Sequence, residues 1–235
     1  METKLLDLGP TEWMAIRLSL KVALWATLLS LPLAIYVALI LARGKFWGKQ
    51  VLNVLVHLPL IMPPVVTGYL LLMLFGRNKP VGQFLENSIG FVLAFKWTGA
   101  VLAAAIMAFP LMVRSIRLAA ENVDPNLEEA ARTLGASPLM VLVSVTLPLM
   151  MPGIVAGAVL AFAKALGEFG ATITFVSNIE GQTQTLPSAI YSFLQVPGGD
   201  QAALTLVGIA VLISVLALAA SEILGARVRA RVGGR

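Results

Sequence analysis

The sequence has no cysteine, one histidine and few charged residues. Without cysteine, the chain forms no disulfide and offers neither a thiolate nucleophile nor a Cys-ligated metal site. The single histidine, His57, also excludes the H-E-x-x-H zinc motif, so we expect no bound metal. Charged residues make up 12% of the chain and hydrophobic residues 58%. This balance lies far outside that of soluble domains and indicates a membrane protein.

The common sequence motifs of catalysis are missing too. No G-x-x-x-x-G-K-[ST] phosphate loop is present, because Gly44-Lys45 and Gly48-Lys49 lack both the earlier glycine and the following hydroxyl. The G-x-S-x-G motif of serine hydrolases is also absent. We therefore expect a chain that is not an enzyme, does not hydrolyse ATP itself and carries no cofactor.

Five apolar stretches are long enough to cross a bilayer. A hydrocarbon core about 30 Å thick needs about 20 apolar residues per helix. The stretches cover residues 22–41, 51–75, 96–114, 138–175 and 202–221, and the third starts either at Lys96 or in the apolar run 91–95. The sequence therefore predicts an all-α membrane protein of about five transmembrane helices, forming a single domain over residues 1–235.

The distribution of lysine and arginine predicts the orientation, because cytoplasmic loops are enriched in these residues. Ten of them fall on one side of the predicted spans: Arg43, Lys45, Lys49, Arg114, Arg117, Arg132, Arg227, Arg229, Arg231 and Arg235. The other side holds Lys4, Arg77 and Lys79, with Arg17, Lys21 and Lys96 at helix borders. We therefore expect a periplasmic amino terminus and a cytoplasmic carboxyl terminus. Cations beside apolar stretches need no nucleic-acid partner to explain them.

The polar segment between the third and fourth stretches predicts a helix, a glycine turn and a second helix. Asp124 is a good N-cap, Pro125 suits the first helical position, and Gly135 supplies a left-handed stop. Ser137 and Pro138 repeat the capping pattern for a helix that runs to residue 147, before a further proline. Because alanine and glutamate are simply good helix formers, this segment is also compatible with an ordinary connecting loop.

The spacing within this segment is more specific than its helix propensity. Glu129-Ala130-Ala131 is followed by Gly135 and, after nine intervening residues, by Val-Thr-Leu-Pro at 145–148. This pattern resembles the coupling-loop signature of ABC importer permeases. The resemblance implies the type I importer fold, with a cytoplasmic coupling loop over about 115–148. It also implies a short helix that docks on a separate ATPase subunit, in which Glu128, Glu129, Ala130, Ala131 and Gly135 mediate coupling.

Three further runs resemble the permease subunits of molybdate importers. They are HLPLIMPPVVTGY at 57–69, GEFGATITFVSN at 167–178 and FLQVPGGD at 193–200. The resemblance implies a multi-pass protein of the bacterial inner membrane that forms a homodimer and works with an ATPase dimer and a periplasmic molybdate-binding protein. Permeases for sulfate, thiosulfate or tungstate are close relatives and remain alternatives, as does a self-contained channel or secondary carrier.

Two ionisable residues lie within the fourth apolar stretch, where charge is costly. Lys164 and Glu168 are four residues apart and are expected on one face of a helix, where they form either an internal ion pair or part of an anion pathway. In the second interpretation, Lys164 lends positive potential to the pathway and Thr172 contributes a hydroxyl. Thr67, beside the prolines of the second stretch, either lines the same pathway or satisfies broken backbone hydrogen bonds.

Overall fold

The computed structural model describes residues 9–232, and these residues form helices joined by short turns. In chain order the helices are α1 Pro10–Arg43, α2 Lys49–Ile61, α3 Pro64–Phe75, α4 Pro80–Ile89, α5 Trp97–Glu121, α6 Pro125–Thr133, α7 Pro138–Val141, α8 Leu147–Leu166, α9 Gly170–Val176, α10 Leu186–Phe193 and α11 Asp200–Val232. A π-helical turn, Leu142–Thr146, joins α7 to α8 without a break. Lys4 and Arg235, which contribute to the charge count, lie outside the described residues.

Helices α1, α5 and α8 pack against one another and form the centre of the bundle. Their contact faces carry small side chains, among which Ala26 of α1, Ala104 of α5 and Ala161 of α8 are fully buried. Small residues allow helix backbones to approach closely, and van der Waals packing then stabilises the pair where no hydrophobic effect operates between apolar helices. The α8 helix meets α5 at Gly157, where an added Cβ would lie 3.1 Å from the carbonyl oxygen of Met112.

Four helices within the described residues are long and apolar enough to span a membrane, and the bent pair α2–α3 would make a fifth. This count confirms the prediction of about five spans. The third span begins at Trp97, next to Lys96, and continues past residue 114 to Glu121. The first and last spans are likewise longer than their uncharged stretches, because polar ends of α1 and α11 extend beyond the apolar part.

The second predicted span is two helices and not one. The direction of the chain bends by 111° between α2 and α3. Met62 at the junction has an extended backbone, with ψ at 146°, because a residue that precedes proline is pushed out of the helical region. Pro63 then precedes α3 at the N-cap position, and Pro64 is its first residue. Hydropathy reports only the apolar character of this stretch, so the bend is a correction that the proline positions explain.

The fourth predicted span, residues 138–175, is interrupted as well. Its helix ends at Leu166, and the separate helix α9 begins at Gly170. At the other end, the helix that starts at Pro138 does not stop before Pro148, as predicted, but continues through the π turn into α8. The short helices α4 and α10 were not predicted. The backbone amide of Leu186 at the start of α10 donates to Ser19 Oγ of α1 at 2.6 Å.

Candidate functional site

Helix α6 has the boundaries that the sequence predicts. The Asp124 carboxylate accepts a hydrogen bond from the amide of Asn126 at 2.9 Å and caps the amino end. At the carboxyl end, Gly135 adopts φ of +88°, its amide donates to the Arg132 carbonyl at 2.9 Å, and the Ala136 amide donates to the Ala131 carbonyl at 3.1 Å. These two bonds form a Schellman motif, which requires a left-handed residue at the position of Gly135.

The inner face of α6 is fixed to the membrane helices by one buried carboxylate. Glu128 is 5% exposed. Its Oε1 forms an ion pair with Arg43 at the end of α1 and accepts a hydrogen bond from the hydroxyl of Thr146, in the π turn before α8. Its Oε2 lies 3.6 Å from Arg132 of the same helix. Glu128 therefore connects the short helix to the ends of two spanning helices.

This environment keeps Glu128 ionised. Burial removes water from the carboxylate and acts to raise its pKa, but the hydrogen bonds from Thr146 and Arg43 and the positive charges of Arg43 and Arg132 together lower the pKa below its ordinary value. A hydrogen bond to an ionised acceptor is stronger than a neutral one. The carboxylate is therefore a charged anchor over the whole physiological pH range.

The outer face of α6 is exposed, in contrast to the buried inner face. Glu129 and Ala130 are exposed, whereas Ala131 is half-buried. Leu134 is 89% exposed, and Leu139, just beyond the glycine turn, is 70% exposed. The loop thus presents apolar side chains and one carboxylate away from the bundle, while the preceding residue, Glu128, points inward. Of the five predicted coupling residues, the structure places Glu128 in an internal contact and not at this outer surface.

Lys164 and Glu168 are paired, although not on one helix. Lys164 Nζ lies 3.1 Å from Glu168 Oε2, but α8 ends at Leu166, so Glu168 belongs to the break before α9. Its second oxygen, Oε1, accepts a hydrogen bond from the amide of Ala171 at 2.9 Å. The Glu168 side chain is 1% exposed and that of Lys164 is 31% exposed. The carboxylate therefore neutralises the lysine and also caps the first turn of α9.

The two predicted pathway threonines lie on facing helices. Thr172 of α9 donates to the Phe169 carbonyl at 2.9 Å, so its hydroxyl proton is already committed within its own helix. Thr67 of α3 is 4% exposed, and its hydroxyl has no hydrogen-bond partner within the described part of the chain. Helices α3 and α9 touch beside it, since a Cβ on Gly68 would lie 2.5 Å from the Ala171 carbonyl oxygen.

Sequence reasoning missed the partners of Glu128. Arg43 was counted only as one of the cations that predict the orientation, and Thr146 was noted only as part of the Val-Thr-Leu-Pro run. A contact between residues 85 positions apart, as between Arg43 and Glu128, leaves no local pattern in a single sequence. The second carboxylate in Glu128-Glu129 is a weak signal, because adjacent helical residues lie about 100° apart and therefore point in different directions.

The family model of the binding-protein-dependent transport system inner membrane components matches residues 30–230. The chain is 53% identical over 222 residues to the molybdenum transport system permease protein ModB of Haemophilus influenzae, covering 94% of this chain and 97% of that protein. It is 54% identical over 222 residues to ModB of Escherichia coli K12, with the same coverage.

A solved structure has the same fold at much lower sequence identity. The crystal structure of a bacterial alginate ABC transporter, in complex with its alginate pentasaccharide-bound periplasmic protein, matches with a TM-score of 0.71. The identity is 19%, and the match covers 97% of this chain and 81% of that one. The bundle described above therefore has the fold of an ABC importer permease.

Proposed function

Because the chain belongs to the binding-protein-dependent transport system inner membrane components, we propose that it is the permease subunit of an ATP-driven molybdate importer. It is a multi-pass protein of the inner membrane. The proposed cargo rests on 53 to 54% identity, over nearly the whole chain, to two molybdenum permeases. The observation that supports coupling to ATP is α6, a short helix that is held firmly on its inner face and exposed on its outer face.

In this proposal, a separate cytoplasmic ATPase subunit binds the outer face of α6. Leu134 and Leu139 would enter an apolar depression, and Glu129 would meet a cationic side chain of the ATPase at the edge. Gly135 supports this surface because its left-handed backbone directs the chain sharply from α6 into α7. When ATP brings two ATPase subunits together, the displacement passes from α6 through Glu128 into the ends of α1 and α8.

The assembly would contain two copies of this chain, two ATPase subunits and a periplasmic molybdate-binding protein. The coupling loop lies at the cytoplasmic end of the bundle, so the amino terminus of α1 lies on the periplasmic side and α11 ends in the cytoplasm. The positive-inside distribution of lysine and arginine supports this orientation. The paired permease chains would enclose the anion pathway between them.

Two features near the end of α8 support an anion pathway there. Lys164 is the partly exposed member of its ion pair, so a passing oxyanion can compete with Glu168 for its ammonium group. Thr67 holds a buried hydroxyl without a partner, which can donate to an oxyanion without first breaking a hydrogen bond. Thr172 would contribute only if its hydroxyl turns away from the backbone carbonyl.

Reconstitution in liposomes tests this function. The chain is co-expressed with its ATPase subunit and purified, and a molybdate-loaded binding protein is added on the outside. We expect ATP hydrolysis to rise on this addition and radioactive molybdate to accumulate inside, with sulfate taken up far more slowly. Uptake without ATP would indicate a self-contained carrier, and preferred uptake of sulfate would reassign the cargo. A Lys164→Met variant that assembles and transports normally would exclude the lysine from the pathway.

A further inference from the structure

A long apolar groove runs along the surface between α1 and α5. It consists of two cavities of about 420 Å³ and 520 Å³. Both are lined by Ser30, Leu102 and Ala105, so they are neighbouring parts of one depression. Helix α2 contributes Pro59 to the lining of one cavity, and aromatic side chains line the other: Trp25, Phe75, Phe91 and Trp97. We call this feature the α1–α5 groove.

The aromatic end of the groove opens into a charged mouth. A third cavity of about 550 Å³ shares Phe91, Trp97 and Thr98 with the groove and is also lined by Arg77 and Lys96. Arg77 lies 3.7 Å from Glu86, the acidic residue of this lining, in an exposed pair. Two cations against one carboxylate leave the mouth positive, beside tryptophans of the kind that mark a membrane interface.

The interior of the groove offers few hydrogen-bond donors to a hydrated anion. Its two hydroxyl groups already donate to backbone carbonyls, Ser30 to Ala26 at 2.6 Å and Thr98 to Val92 at 3.5 Å. The remaining lining side chains are apolar, apart from the indole N–H groups of Trp25 and Trp97 at the aromatic end. An oxyanion that left water for this groove would lose most of its hydration, at a cost of several kcal/mol. The groove is therefore unsuited to the transported cargo and suited to a hydrocarbon chain.

The length of the groove matches one leaflet of a bilayer. On α5 it extends from Trp97 to Phe109, which is about 18 Å at the helical rise of 1.5 Å per residue. Half of a hydrocarbon core is about 15 Å.

We propose that the α1–α5 groove binds one anionic glycerophospholipid of the outer leaflet. An acyl chain lies between α1 and α5, and the phosphate meets Arg77 and Lys96 at the mouth. Charge complementarity at the mouth and the apolar interior both favour this occupant. The site is separate from the coupling helix and from Lys164, so the proposal stands independently of the transported anion.

Native mass spectrometry of the purified permease–ATPase complex tests the site. The complex is equilibrated with an equal mixture of phosphatidylglycerol and phosphatidylcholine of identical acyl chains, and retained lipids are counted. We expect one phosphatidylglycerol per permease chain. The variant with both Arg77→Gln and Lys96→Gln should retain it about fivefold less, as expected for the loss of two exposed charge contacts. The matched control changes two cations between α1 and the start of α2, Lys45→Gln and Lys49→Gln, and should retain the lipid.

A second variant tests the interior. Ala105 lines both cavities, so Ala105→Phe should fill the groove and release the lipid, whereas Val211→Phe on exposed α11 should not. Retention of both lipids in equal amounts by the unchanged complex would overturn the proposal. So would a full lipid count in Ala105→Phe. A dimer that retains no lipid at all would assign the groove to the second copy of the chain and would also overturn it.

Discussion

Removing the buried carboxylate of Glu128 should loosen α6, and removing that of its exposed neighbour Glu129 serves as the control. In Glu128→Ala, the hydroxyl of Thr146, which is 1% exposed, loses its acceptor. A hydrogen bond to a charged group contributes about 1.5–3 kcal/mol. Arg43 and Arg132, whose side chains are 37% and 55% exposed, return to water, so their ion pairs add little to this cost. We expect α6 to be held about 2 kcal/mol less firmly.

Hydrogen exchange measures this loss directly. A change of about 2 kcal/mol corresponds to roughly 30-fold faster opening, so amides of α6 in Glu128→Ala should exchange roughly 30-fold faster than in the unchanged protein. Glu128→Gln keeps an acceptor for Thr146 but loses the charge, so its α6 amides should exchange at a rate between those of Glu128→Ala and the unchanged protein. Glu129→Ala changes an exposed side chain of the same helix and should alter exchange less than about twofold.

The transport assay then separates the two glutamates. In Glu128→Ala the ATPase still binds α6 but its closure is transmitted poorly, so more ATP should be hydrolysed per molybdate imported. In Glu129→Ala, binding of the ATPase should weaken, while the number of ATP molecules hydrolysed per molybdate imported stays unchanged. If exchange of the α6 amides in Glu128→Ala matches that of the unchanged protein, the carboxylate does not anchor the helix.

Three other predictions follow from the same geometry. The lowered pKa of Glu128 means that its anchoring is fully present above the ordinary carboxyl pKa, so protection of α6 amides should be constant from pH 8 to 6 and fall only in strong acid, below the ordinary value. Gly135→Asn should transport almost normally, whereas Gly135→Pro, which cannot adopt φ of +88°, should abolish uptake without preventing membrane insertion. Gly68→Ala would press a Cβ against Ala171 and should lower the free energy of unfolding by about 1–3 kcal/mol, seen as a lower melting temperature. Gly208→Ala, with open space around its Cβ, should leave the melting temperature unchanged.

The sequence predicted features whose causes are local. Asp124 and Gly135 determine the ends of α6 through bonds to residues within five positions, so the helix and its turn could be derived. The spans could be counted because apolar length is local as well. Their interruptions were missed for two reasons: the break at Met62 has a local cause in Pro63 and Pro64 that apolar length does not register, whereas the break after residue 166 involves the packing of Gly170 against Pro64. Whether Lys164 and Thr67 line a pathway stays a prediction, because the second copy of the chain would complete it.

The contact between α5 and α8 at Gly153 and Gly157 has a mechanical consequence. The carbonyl of Gly153 accepts a hydrogen bond from Ser115 at 3.1 Å, and at Gly157 the backbones nearly touch. If a displacement at the Glu128 end reaches α8, we expect the helix to tilt about this crossing point. A tilt of about 10° would carry Lys164, roughly 16 Å beyond Gly153 at 1.5 Å per residue, through about 3 Å. That distance is comparable to the length of the ion pair it would have to break.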